Sequence, residues 1–243
     1  MRTAKGRICS APGRRDRQAR PVHLSGTSRP QPTAPIAMSS DSPGSHKLDH
    51  EPFRVPRDKK IKLSDYDTRY SAGLKSKKEG VAALLEDKSA LAEAQTLLWA
   101  NSERSVLVIL QAMDAAGKDG AIKHVASGIN PQGVSVHSFK APNEEERLHH
   151  FLWRPTRYLP ARGRITIFNR SYYEEVLVVR VHEKILEGQK LPKKVKTRKI
   201  WKERFEDIAA FERYFARQGF VILKFFLHVS KKEQKERFLA RLD

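Results

Sequence analysis

The sequence predicts an α/β fold: a parallel β-sheet with helices on both faces. Three observations lead there. Short apolar, β-branched runs recur at 105–110 (SVLVIL), 133–139 (GVSVHSF), 164–169 (RITIFN) and 220–229 (FVILKFFLHV), the pattern of strands buried on both faces. Helical patterns fill the gaps, over 80–102, 118–127, 143–153, 172–187, 200–218 and 231–242. Strand and helix therefore alternate, which calls for right-handed crossovers and a parallel sheet. No segment repeats another.

Residues 1–50 are rich in Arg, Ser and Pro and have no hydrophobic period. They cannot bury enough apolar surface to offset the entropy of ordering, so a disordered basic tail is expected. Its Arg-rich, acid-poor character resembles a transit peptide, but no apolar core of a secretory signal is present. The plainer alternatives are a solvated tail, or an over-long start with the natural one at Met38. The folded part, 53–243, is expected to begin near Phe53.

The first helix, 80–102, carries Leu84, Leu85, Leu91, Leu97 and Leu98 as an apolar stripe. The last, 231–242, opens on Ser230 as N-cap and runs out at Asp243 without a capping signal. The expectation is that the C-terminal part of the domain, which would cover a sheet edge, is missing.

A chain of 243 residues suits one sizeable α/β domain plus a tail. The net charge of +19 and the pI near 10.1 call for a polyanionic partner. About +7 of that charge lies in residues 1–37, so the folded part is itself basic. Cys9 is the one cysteine, which excludes an internal disulfide and suits a reducing, cytoplasmic setting. No apolar run approaches the ~20 residues of a membrane span; the stretch at 221–229 is short and broken by Lys224. No membrane association is expected.

Chemistry concentrates in QAMDAAGKDGAIKH, 111–124, which lies between a strand and a helix. It has the outline of a Walker-type phosphate loop, G-x-x-x-x-G-K-[ST], with Ala112 for the first glycine and Asp119 for the hydroxyl residue. The phosphate-binding segment comprises Ala115, Ala116, Gly117, Asp119 and Gly120: Gly117 permits close backbone approach, and the first helical amides point at the anion. Lys118 adds a point charge. The lost hydroxyl usually binds Mg²⁺. Asp114, inside the loop, makes sense as its replacement, because a carboxylate beside a polyphosphate needs a cation between them. The other reading is a strand–turn–helix corner with Asp as cap and Lys solvated.

In open α/β sheets ligands bind at the carboxyl ends of strands, so Asn169, Arg170 and Ser171 should face the same crevice. Arg170 offers bidentate phosphate binding. Glu174 and Glu175 open the next helix, where complementing its dipole is the plainer role. Arg180 and His182 follow, with a solvated Arg as the alternative. Finally, GQKLPKKVKTRKIWKERFED, 188–207, crowds basic residues, Lys196, Arg198 and Arg204 among them, around a Gly and a Pro. It fits a mobile basic lid over a long anion, against the alternative of a solvated charged face.

Four stretches together resemble the polyphosphate kinase 2 family: 110–146, 168–183, 201–213 and 222–242. The D-A-A-G-K-D-G core with its N-R-S partner is the specific part, and N-R-S-x-Y-E is similar to the branch that phosphorylates AMP and ADP from polyphosphate. The resemblance implies a thymidylate-kinase-like P-loop fold with a helical lid and Mg²⁺-dependent direct transfer between inorganic polyphosphate and AMP or ADP. It implies Asp114 as the magnesium-linked residue, Gly117 and Lys118 as the phosphate cradle and Asn169 and Arg170 as the second phosphate motif, and favours Arg180 and Arg204 as anion contacts. With the uncovered C-terminal edge it also implies self-association. Family members normally continue past the last helix, and the tail at 1–50 has no counterpart.

Three rival readings stand beside it. An ATP-using nucleotide kinase of the same fold would need only modest lid charge. A nucleic-acid-binding protein would interleave aromatics with its basic residues; the lid offers Trp201 and Phe205, whose helical spacing suits core packing instead. A truncated, inactive family member is the third.

Overall fold

The computed structural model describes residues 48–56 and 59–242; the tail expected over 1–50 lies outside the described residues except for 48–50. Of those three, Asp49 is tied to Tyr70, whose Oη donates to the Asp49 carboxylate at 3.0 Å and to its carbonyl at 3.2 Å. The elements in chain order are α1 (Lys77–Asn101), β1 (Ser105–Ala112), α2 (Lys118–Ala126), β2 (Val134–Ser138), α3 (Trp153–Thr156), β3 (Ile165–Asn169), α4 (Val178–Val181), α5 (Glu183–Gly188), α6 (Ile200–Arg217), β4 (Phe220–Leu227) and α7 (Lys231–Leu239).

The four strands form one parallel sheet in the order β2-β3-β1-β4. The chain leaves β1 towards β2, returns through β3, and crosses to β4 on the far side of β1. Successive connections thus diverge between β1 and β3, which opens a crevice at their carboxyl ends. Leu110 pairs with Asn169 in the register, and the Arg170 amide donates to Leu110 O at 3.0 Å. The residues after β1 and those after β3 are thereby placed side by side.

Alternation along β1 divides the core. Leu107 and Ile109 join Phe139, Phe168, Tyr172, Val176 and Ile208 on one face, where α6 packs. Val106, Val108 and Leu110 join Ile165, Ile167, Leu98 and Ile122 on the other, under α1 and α2. The expected two-sided cover is therefore present, and the two-residue period explains it.

Three local expectations change. The leucine stripe of α1 is only half realised: Leu84, Leu91 and Leu98 are half-buried, while Leu85 and Leu97 face solvent. The buried positions are Ala83 and Gln95. Gln95 clasps Asn130 from both sides, donating to its carbonyl at 2.9 Å and accepting from its amide at 2.7 Å. A side chain on Gly133 would collide with Gln95 and Trp99, so glycine is required for that approach.

The helix expected over 143–153 is a single turn, Glu146–Leu148, followed by α3. Asn143 and Glu146 cap each other reciprocally at 2.8 and 2.9 Å, closing the turn. The helix expected over 172–187 breaks into the turn Tyr172–Glu175, α4 and α5. Its valines at 176, 178, 179 and 181 lose rotamer freedom in a helix.

A polar cluster ties β4 to the rest. Glu212 Oε1 accepts from Tyr172 Oη (2.9 Å) and Tyr173 Oη (2.8 Å), and Oε2 from Lys224 Nζ (2.7 Å). Burial, then the neighbouring Glu212 charge, pushes the Tyr173 phenol up to about 12. Glu212→Leu strands three donors and lowers stability by about 2 kcal/mol, with Glu212→Gln recovering part of the loss. Urea unfolding midpoints of the two variants check this.

Candidate active site

Residues 113–117 turn the chain from β1 into α2. Two of them lie in the left-handed region, Gly117 (φ 91°) and Ala115 (φ 60°); the former suits glycine, while the latter is costly for alanine. Ala115 and Ala116 are buried. Gly117 is the N-cap of α2 and no side chain caps the helix, so its first amides stay open to an anion. Lys118 folds back over the loop, its Nζ on Ala112 O (3.3 Å) and Met113 O (3.4 Å).

From the neighbouring strand end, Arg170 reaches the same place. It adopts φ 68°, also unusual for a non-glycine residue, and its guanidinium lies 3.2 Å from Asp114 Oδ1 and 3.7 Å from Glu174 Oε2. Strained backbone of this kind is found where structure over-determines a functional geometry. Glu174 is held by Gln111 Nε2 at 2.9 Å, and Gln111 in turn accepts from Ser171 Oγ at 3.4 Å.

Burial pushes the Lys118 ammonium below the usual lysine range; the positive charge of Arg170 adds to this, while Asp114, Glu174 and Asp119 oppose it. An anion would favour the charged lysine. Affinity for a phosphate chain should therefore be intact at neutral pH and fall as pH rises through the lowered pKa, before the ordinary value of 10.5. Tripolyphosphate binding measured across the alkaline range tests this. In Lys118→Arg, which stays charged, that loss should be absent.

The structure brings Asp114, Ala115, Ala116, Gly117, Lys118, Asn169 and Arg170 together at the ends of β1 and β3. Asn169 Nδ2 donates to Asp119 Oδ1 at 2.6 Å and to Ser138 Oγ at 3.4 Å. Asp119 thus turns its carboxylate to Asn169, and what it can offer an anion is its backbone amide, as with Gly120 on the first turn of α2. Among the described residues no group of three or more His, Cys, Asp or Glu gathers into a metal site. One or two carboxylates plus substrate phosphates are the usual Mg²⁺ shell, however, and the exposed Asp114 carboxylate fits that requirement.

The lid residues divide. Lys193, Lys194, Arg198 and Lys199 are exposed around the turn Lys193–Val195, and Lys196 Nζ donates to Glu187 O at 2.9 Å. Arg180 is exposed on α4. Residues 200–207, by contrast, are the start of α6, which buries Ile200, Arg204 and Ile208. Arg204, expected to touch an anion, is only 4% exposed: it lies 2.8 Å from Glu175 and donates to Gln189 at 2.7 Å. A buried guanidinium at helical spacing with Ile200 and Ile208 belongs to the core face, and Glu175 neutralises it. Trp201 is half-buried beside Arg204, while Phe205 is 43% exposed, contrary to the expected packing.

Sequence reasoning missed Gln111, Gln189, Gln234 and Arg237. All four act through contacts 15 to 122 residues distant in the chain, for which spacing gives no signal.

A parallel sheet whose Walker-like Gly117-Lys118 loop faces an arginine from the adjacent strand end is the arrangement of a P-loop, kinase-type phosphotransferase. A sequence model of the polyphosphate kinase 2 family matches residues 74–243, and the chain belongs to that family. It is 48% identical over 198 residues to an ADP-polyphosphate phosphotransferase of Rhodopseudomonas palustris, covering 81% of this chain and 68% of that protein. An AMP/ADP-polyphosphate phosphotransferase of Meiothermus ruber is 42% identical over 195 residues, covering 79% and 68%. Among solved structures, polyphosphate kinase 2 from Arthrobacter aurescens TC1 superposes with a TM-score of 0.71 at 38% identity, over 79% of this chain and 65% of that one. The chain spans about two thirds of the length of these relatives.

Proposed function

We propose that this protein transfers a phosphoryl group from inorganic polyphosphate to a nucleoside mono- or diphosphate, AMP or ADP, by direct in-line displacement. The observation that carries the reading is the pairing of Lys118 and Arg170 across the β1–β3 crevice beside open helix amides. Phosphoryl transfer needs alignment and charge stabilisation of a loose transition state more than covalent help from the protein. The terminal polyphosphate unit lies between Lys118 and Arg170, with the rest of the chain along the exposed lysines of 190–199. An acceptor phosphate oxygen attacks the terminal phosphorus as the bridging P–O bond breaks, and the shortened polyphosphate leaves as the anion. No general base is required, because the attacking phosphate is already ionised at neutral pH. Asp114 would hold Mg²⁺, which when bound shields the phosphate charges from one another and from the carboxylate.

The polyphosphate phosphotransferases to which the chain is similar and the +19 charge support polyphosphate over ATP as donor. The exposed Leu223, Phe225 and Phe226 of β4 support self-association, which sedimentation measures. Among the described residues no helix is long and apolar enough to cross a membrane, and the scarcity of cysteine supports a place in the reducing cytoplasm. Nucleic acid is not part of this reading.

The test is incubation with Mg²⁺, long-chain polyphosphate and AMP or ADP, following ADP and ATP. Product with polyphosphate supports the reading. Product only when ATP replaces polyphosphate overturns it in favour of a nucleotide kinase. Polyphosphate binding without product overturns it in favour of an inactive binder.

A further inference from the structure

The turn from β1 into α2 carries four consecutive carbonyls, those of residues 112–115, and each meets a donor. Lys118 takes the first two from within the loop. The next two are taken from outside by α7: Gln234 Nε2 donates to Asp114 O at 2.7 Å, and Arg237 Nη1 to Ala115 O at 3.3 Å. Arg237 is itself steadied by Glu233, one turn back, whose Oε1 accepts from Nε at 2.7 Å. The guanidinium also lies against the loop's glycine, since a Cβ on Gly117 would sit 3.2 Å from Nη1.

In a trans peptide the carbonyl and the following N–H point in opposite directions, and no peptide among the described residues is cis. Anchoring Asp114 O on α7 therefore turns the Ala115 N–H away from α7. Anchoring Ala115 O does the same for the Ala116 N–H, which closes a turn onto Met113 O at 3.3 Å. Between the two anchored peptides lies Ala115 in its left-handed conformation, which costs an L-residue roughly 1–2 kcal/mol. Without the anchor on Asp114 O, flipping the Asp114–Ala115 peptide changes φ of Ala115, relieves that cost and puts a carbonyl where an N–H had been. A carbonyl repels the anion that an N–H attracts.

We infer that Gln234 and Arg237 are positioning residues: α7 holds the loop in its anion-accepting form before substrate arrives. The inference rests on the reading of this loop as the phosphate site. Gln234 is the sharper probe, because replacing it leaves the charge of the site unchanged.

The experiment titrates the full ¹⁵N-labelled chain with inorganic tripolyphosphate, following the Ala115 and Gly117 amides, and records melting temperature alongside. In Gln234→Leu, affinity should fall about tenfold, as expected for one lost hydrogen bond, at unchanged melting temperature. The free-state shift of the Ala115 amide should move as well. Arg237→Lys, which keeps the charge but loses the planar donor, should weaken binding less than Arg237→Met. Wild-type affinity and an unmoved Ala115 amide in Gln234→Leu overturn the inference. Should that variant melt early, Gln234→Asn, polar but too short to reach, decides by the same two readings. A wild-type chain that leaves the loop amides unmoved overturns the phosphate-site reading itself, a result distinct from the others.

Discussion

Replacing Lys118 by alanine lowers polyphosphate-dependent turnover by about 10²-fold or more, the usual loss for one preorganised donor at a developing charge. The ammonium folds over the loop within reach of two carbonyls, and it is partly buried beside Arg170. Those surroundings disfavour its charge until an anion enters, so the charge is worth most when the phosphoryl group carries its greatest negative charge. The loss should appear in kcat as well as in kcat/KM, because an interaction that strengthens in the transition state is removed. Lys118→Arg keeps the charge with a different reach and should retain part of the binding but little of the rate. Steady-state kinetics at saturating AMP or ADP separates the two parameters; a change confined to KM would show Lys118 to be a general attractor for polyphosphate.

Asp114→Asn moves binding and catalysis in opposite directions. The Asp114 carboxylate lies 3.2 Å from Arg170 and is one of three acids that oppose the lowering of the Lys118 pKa. Removing it frees both cations, so tripolyphosphate binding with the divalent ion chelated should tighten by several-fold, by loss of a like charge. Turnover with Mg²⁺ should fall by about 10²- to 10³-fold, to the edge of detection. Calorimetry in the presence of chelator and Mn²⁺ binding followed by electron paramagnetic resonance read the two effects without reference to turnover. Undiminished Mn²⁺ affinity in the variant, or Mg²⁺-stimulated turnover near wild type, would remove Asp114 from the metal shell.

Much of the domain could be read along the chain. The central strands β1 and β3 were legible because burial leaves a continuous apolar run, the edge strands β2 and β4, which are largely exposed, because of their β-branched and aromatic residues, and β1 differs from its expected span only by two residues at its end. The loop between β1 and α2 was legible because its glycine, lysine and flanking strand and helix are all local. Arg170 was legible for a less direct reason: a strand end in an α/β sheet is a ligand position whatever the sheet order.

The readings that changed share one cause. Arg204 belongs to a basic run by sequence, yet its spacing from Ile200 and Ile208 sets it on the inner face of α6, where burial and pairing with Glu175 at 2.8 Å decide its place. Leu85 and Leu97 carry the residue type of a core stripe but face solvent, and of the stripe it is Leu98 that packs against the sheet's core. The valine-rich stretch after Tyr172 was read as one helix, and it is three short turns.

By itself the sequence determined the strand set, the strand–helix alternation, the loop with its Gly117 and Lys118, and the charge that calls for a polyanion. All of these depend on neighbours within a few residues. The tertiary structure alone decided that β1 lies between β3 and β4, that Arg170 and Asp114 meet, that Arg204 is withdrawn from the surface, and that α7 grips the loop carbonyls. Those facts rest on pairings between residues 29 to 122 positions apart, where chain order carries no distance information and only packing and hydrogen-bond geometry choose the partner.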